Sequence, residues 1–123
     1  MQASQQVSEQ AFDFAGFKRA FVNQDVEAWI DYYADDAEWI EYNHDHPSQT
    51  PQITRGRQEL LAHLQMIKAS KLSLTIEDEI IGPERAAFRV WVVLSSGKRI
   101  VEHTFIYYAG GRIWKMVDVE AWD

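Results

Sequence analysis

The sequence predicts an α+β fold: three helices, then a curved, mixed or antiparallel sheet that wraps on them as a cone with a central pocket. Three observations predict it. Large apolar residues recur at helical spacing up to Ile67, the apolar period changes to two beyond Ser70, and the later segments are joined by short turns that favour antiparallel pairing.

Taken in order, Phe14, Phe17 and Phe21 mark a first helix over 11–22, with Lys18 and Arg19 turned away and Ser8 available as its N-cap. Asn23, Gln24 and Asp25 interrupt the stripe. Asp25 caps a second helix carrying Val26, Trp29, Ile30 and Tyr33, and the β-prone "AEWIEY" follows as a short strand. Residues 48–57, with Pro51 and Gly56, read as a loop, and Leu60, Leu61, Leu64 and Ile67 mark a third helix. "LSLTIEDEI", "AAFRVWVVL", "RIVEHTFIYY" and "RIWKMVDVEAW" are four strands separated by turns at "GP", "SSGK" and "AGG". Such a sheet must curl to cover the helical stripes, which leaves a concave interior open at one end. Residues 11–123 therefore form one domain, and 1–10 a flexible N-terminal segment.

The 123 residues suffice for one core, and 46% hydrophobic with 13% aromatic residues argues for a packed globule. A formal charge of -7 disfavours nucleic acid and anionic membranes, which need a basic footprint. Cysteine is absent, which removes disulfides and thiolate chemistry and fits a reducing compartment. "MQASQQVSEQ" has no apolar h-region and no apolar run reaches a membrane span of about 20 residues, so a soluble, cytoplasmic protein is expected.

The densest polar stretch is "EYNHDHP", 41–47. His44 and His46 share a face if the backbone stays extended, a spacing compatible with zinc or nickel. No third ligand accompanies them, because His63 reads as lying on a polar face of the third helix. The expectation is no metal and no cofactor, with "HDH" facing water and Glu41 and Asn43 on the face of Trp39.

The order of elements, with "YADDAEWIEYNHDHP", "RGRQELLAHL", "RIVEHTFIYYAGGRI" and "GRIWKMVDVEAWD", resembles the nuclear-transport-factor-2-like superfamily and its SnoaL-like branch over nearly the whole chain. The resemblance implies a cone fold that hosts isomerases, cyclases, dehydratases and non-catalytic proteins. It implies that Glu41 stands where the steroid isomerases carry their proton-shuttling carboxylate. It also implies that His103, or with one residue of slip Glu102, stands at their protonated acid, and that Asp118 matches the last-strand aspartate of polyketide cyclases. An epoxide hydrolase is disfavoured, because its second aspartate is replaced near Arg89 and Trp91. The outer sheet face, Trp91 included, is implied as a homodimer contact.

Chemistry gives these residues roles. Asp118 lies among Met116, Val117 and Val119, where lost hydration raises a carboxyl pKa, and an imidazole from His103 beside it would exchange protons near neutral pH. Phe17, Trp29, Tyr33, Trp39 and Asn43 are candidate substrate-binding residues, the aromatic ones serving the core as well. Tyr32 and Tyr33 offer phenol donors. The predicted function is a cofactor-independent acid/base enzyme, of isomerase, cyclase or dehydratase type, for a small apolar cyclic or carbonyl-bearing metabolite. The alternative is a non-catalytic ligand-binding or dimerisation module.

Overall fold

The computed structural model describes residues 11–123, so the predicted Ser8 cap and the 1–10 segment lie outside the described residues. Helix α1, Phe14–Asn23, starts at Asp13, whose side chain accepts from the Gly16 N–H at 2.9 Å, and stops at Gln24, which takes the left-handed conformation. Asp25 caps α2, Val26–Ile30, in the same way. The strands are β1 Tyr33–Tyr42, β2 Gln52–Arg55, β3 Ser73–Ile81, β4 Arg85–Val93, β5 Arg99–Ala109 and β6 Arg112–Trp122, with α3, Gly56–Ala69, between β2 and β3.

They form one six-stranded sheet in the order β2-β1-β6-β5-β4-β3. All neighbours are antiparallel except β1 and β6, so the sheet is mixed. The four-strand meander follows the expected order. β2 is an addition, because a stretch read as a loop pairs Thr54 and Ile53 with Trp39 and Ile40. Register shifts interrupt β1 between Tyr33 and Glu38, β3 between Glu77 and Ile80, and β6 beside Tyr107 and Tyr108. Such irregularities bend and twist a strand, which is how this sheet curls over the helices.

One face of the sheet is covered by helices, α3 packing on β1 and α1 on β3. Phe14, Phe17 and Phe21 of α1 meet Phe88 of β4, and Phe21 lies edge-on to Trp29 at 5.0 Å. Each such ring contributes about 1.5–3 kcal/mol by leaving water. This packing corrects part of the site expectation. Phe17 and Trp29 have no exposed surface and Tyr33 is 1% exposed, so these three fill the deep end of the cone. The Tyr33 hydroxyl accepts from the Trp29 indole at 3.1 Å and lies 3.4 Å from Met116 Sδ, while Tyr32 reaches Asp13.

Candidate active site

The inner face of β6 runs Met116, Asp118, Glu120, and the first two have no exposed surface while Glu120 is partly exposed. The parallel register sets Glu41 of β1 beside Asp118, and the antiparallel register sets Thr104 of β5 on its other side, with Glu102 beside Glu120. Period-two alternation therefore gathers four carboxyl groups, from three adjacent strands, where the inner face opens to solvent. Oxygen atoms of Glu41, Asp118 and Glu120 all lie within 4.8 Å of one another.

Asp118 is held at both oxygens. The Trp39 indole N–H donates to Oδ2 at 2.8 Å, and Thr104 Oγ1 lies 2.7 Å from Oδ1. An indole only donates, whereas a hydroxyl can donate or accept, so Thr104 donates to Oδ1 when Asp118 is ionised, and a protonated Asp118 carries its hydrogen on Oδ1 and donates a hydrogen bond to Thr104 Oγ1. Burial pushes the Asp118 carboxyl well above the usual range, and the Glu41 charge pushes it further, against the opposing hydrogen bonds from Thr104 and Trp39. Glu102 is raised likewise, by burial first and then by Asp118, Glu120 and Glu41. Burial lifts Glu120 to about 7, with Trp122 and Asn43 opposing and Glu41 reinforcing. Asn43 Nδ2 and Trp122 Nε1 donate to Glu120 Oε1 at 3.2 and 3.0 Å.

The imidazole at this site is His63 of α3. Its Nε2 stands 3.2 Å from Glu41 Oε1, both side chains being nearly buried, and its ring meets Trp39 edge-on at 4.9 Å. The two atoms are close but misaligned for a hydrogen bond, so each is sealed from water without a partner. The polar-face reading of His63 is thereby corrected. Residue 63 lies three after Leu60 and four before Ile67, so its spacing put it on the packed face.

His103 is elsewhere. It opposes Val119 on β6 and Arg89 on β4 on the outer face, exposed, with Nε2 3.4 Å from Arg89 Nε. It cannot touch Asp118, and the one-residue slip, Glu102, occupies the inner position. The sequence left this parity open because Val101, Phe105 and Tyr107 make the outer face of β5 apolar too.

Asn43 through His46 form a tight turn, with the Asn43 side chain accepting from the N–H groups of Asp45 and His46. The backbone is not extended there, so His44 and His46 do not share a face. His44 lies against Trp122 and His46 against the Thr50 carbonyl. A hollow of about 900 Å³ lies at the other end of β5, by Tyr107, Trp114 and Pro83.

A family model described as SnoaL-like domain matches residues 14–116. No sequence among the curated proteins matches the chain. Among solved structures, an NTF2-like protein of unknown function from Mesorhizobium loti is similar with a TM-score of 0.77 at 18% identity, over 96% of this chain and 93% of that one. A candidate ketosteroid isomerase from Kribbella flavida gives 0.72 at 19%, over 87% and 73%. IdmH, a candidate polyketide cyclase from Streptomyces antibioticus, gives 0.64 at 21%, over 94% and 91%. The structural likenesses speak for the fold alone, and the family model spans most of the sequence: the chain belongs to the SnoaL-like domain family.

Proposed function

We propose that the chain is a cofactor-independent acid/base enzyme, of isomerase, cyclase or dehydratase type, acting at the carboxyl cluster on a small, largely apolar, cyclic or carbonyl-bearing metabolite. One observation carries the reading: Asp118 is fully buried, bonded at both oxygens, and surrounded by three further carboxyls at different depths. Environments that hold protons differently assign acid and base roles to like groups. Glu41, against His63, is the base that takes a proton from the bound molecule. Glu120, poised at about 7, exchanges protons with solvent and substrate near neutral pH. Asp118, through Thr104 and its neighbours, retains the proton that keeps the cluster from full ionisation. The role proposed from sequence for His103 is withdrawn; Asn43 remains as a substrate-side residue, and Trp39, 3% exposed, holds Asp118 from behind.

The test is hydrogen–deuterium exchange at the carbon next to the carbonyl of a panel of cyclic ketones, followed by NMR. Wild type is expected to accelerate exchange for at least one member, and Asp118→Asn and Glu41→Gln to lose about 10²-fold or more. Exchange as fast in both variants as in wild type refutes the proposal.

A second reading, binding without chemistry, draws on the deep interior being filled by Phe17, Trp29 and Tyr33. It predicts ligands that bind at the cluster and undergo no exchange. Either reading includes a homodimer through the outer sheet face, where Phe105 and Val119 are 45% and 58% exposed.

A further inference from the structure

The outer face of the sheet carries an uncharged stripe. Ile53, Ile40, Val117, Phe105, Ala87 and Ile80 stand side by side in register across all six strands, and Phe105 and Ile80 are 45% and 74% exposed. At ordinary strand and residue spacings the stripe and the rows flanking it cover roughly 650 Å² before side-chain relief is added, close to the ~800 Å² that each partner gives a stable interface. A second copy of the chain suits such a face, because an apolar stripe is complementary to itself about a two-fold axis.

One row from the stripe lies a group that responds to acidity. His103 stands between Val119 of β6 and Arg89 of β4, with Val101 and Phe105 beside it on β5. Arg89 Nε lies 3.4 Å from His103 Nε2. A guanidinium only donates, so Nε2 accepts, and the imidazole in this contact is neutral with its hydrogen on Nδ1. On its far side Arg89 Nη1 is paired with Glu77 at 3.2 Å and with Asp78 in the bulge of β3, and Glu77 also accepts from the Trp91 indole at 2.8 Å. Both carboxylates are thus taken, and the formal charge against the imidazole is that of the guanidinium. With Phe105, Ala87 and Asp78, His103 also lines a hollow of about 190 Å³, which a second copy laid on the stripe would close.

Histidine is the side chain that ordinarily changes charge between pH 5 and 8. An imidazolium has an N–H on both nitrogens and no acceptor. Protonation therefore ends the contact with Arg89 and sets two like charges together where an interface shuts out water.

We propose that His103 is a pH switch on the association of two copies: neutral, it lets their outer faces close, and protonated, it parts them. The inference rests on the homodimer reading of this face and on nothing at the carboxyl cluster.

Sedimentation equilibrium of the full chain at pH 8 and pH 5.5, at constant ionic strength, reads the dimer dissociation constant, and far-UV circular dichroism checks that the chain is folded at both. The constant is expected to rise about ten-fold or more on acidification, the order of one lost hydrogen bond in each copy. His103→Gln, whose amide oxygen still accepts from Arg89, is expected to remain a dimer and to lose the pH dependence. His103→Lys, charged at both pH values, is expected to be monomeric at both. A wild-type dimer as tight at pH 5.5 as at pH 8, a His103→Gln chain that follows the wild-type curve, or a His103→Lys dimer as tight as wild type at pH 8 overturns the switch and leaves the dimer standing. A wild-type chain that is monomeric at both pH values overturns the switch and the homodimer reading together and leaves the acid/base reading untouched.

Discussion

A carboxylic acid deprived of water keeps its proton unless something else stabilises the anion, and Asp118 receives only two hydrogen bonds against complete burial and a charged neighbour. Thr104→Val removes the partner of Oδ1 and leaves a buried polar atom unpaired. It is expected to lower stability by about 1–3 kcal/mol in urea unfolding, whereas Thr104→Ser restores it. Asp118→Asn keeps both contacts, its carbonyl accepting from Trp39 and its amide donating to Thr104, and should fold normally while losing titration. The pH dependence has a definite sign. Glu120 has a folded pKa of about 7 against an ordinary 4.5, and Asp118 and Glu102 shift in the same direction. The folded state thus holds protons that the unfolded chain releases, so their contribution is complete below 4.5 and is lost as pH rises through 7. Glu77, held low by Trp91 and Arg89, and Glu79, held low by Lys18, oppose this only at more acidic pH. Melting temperature should fall from pH 5 to pH 8 at constant ionic strength, and Glu120→Gln should flatten the fall. A rise over that range would contradict the assignment.

At the scale of elements, periodicity carried most of the fold. Phe14, Phe17 and Phe21 specified α1, and alternation specified β3 to β6, because burial of one face imposes those periods. β2 was hidden, since four residues between Pro51 and Gly56 are too few to display a period. Which way β5 faces was also hidden, because both of its faces carry apolar residues, and so His103 was favoured over Glu102. Of the site, Glu41 and Asp118 were legible as carboxylates in apolar strands. Their meeting was not, because it depends on the parallel pairing of β1 with β6, separated by most of the chain. Glu120 alternates with Asp118 and was legible in hindsight from parity alone. Gly56 makes the abrupt passage from β2 into α3 with φ of +82°, a conformation costly for any side chain. Gly56→Ala should cost about 1–2 kcal/mol, measured by urea unfolding, and should loosen α3 and with it His63.

For the molecule as a whole, the sheet divides two tasks between its faces. The inner face carries the core and, at its solvent end, the carboxyls. The outer face carries Phe105, Val119 and Trp91 around an Arg89 paired with Glu77 and Asp78. Under the homodimer proposal, Phe105→Glu with Val119→Lys should convert a dimer to a monomer in sedimentation equilibrium without altering the indole resonances of Trp39 and Trp122. Among the described residues no helix is long and apolar enough to cross a membrane. If the inner-face carboxyls hold their protons together, a side-chain carboxyl ¹³C titration of Asp118, Glu102 and Glu120 in the folded protein is the most direct measurement of it. All three are then expected to titrate well above the ordinary carboxylate range, Glu120 at about 7, and Glu41→Gln to displace the Asp118 transition downward. Three ordinary titrations near 4, indifferent to Glu41, would contradict it.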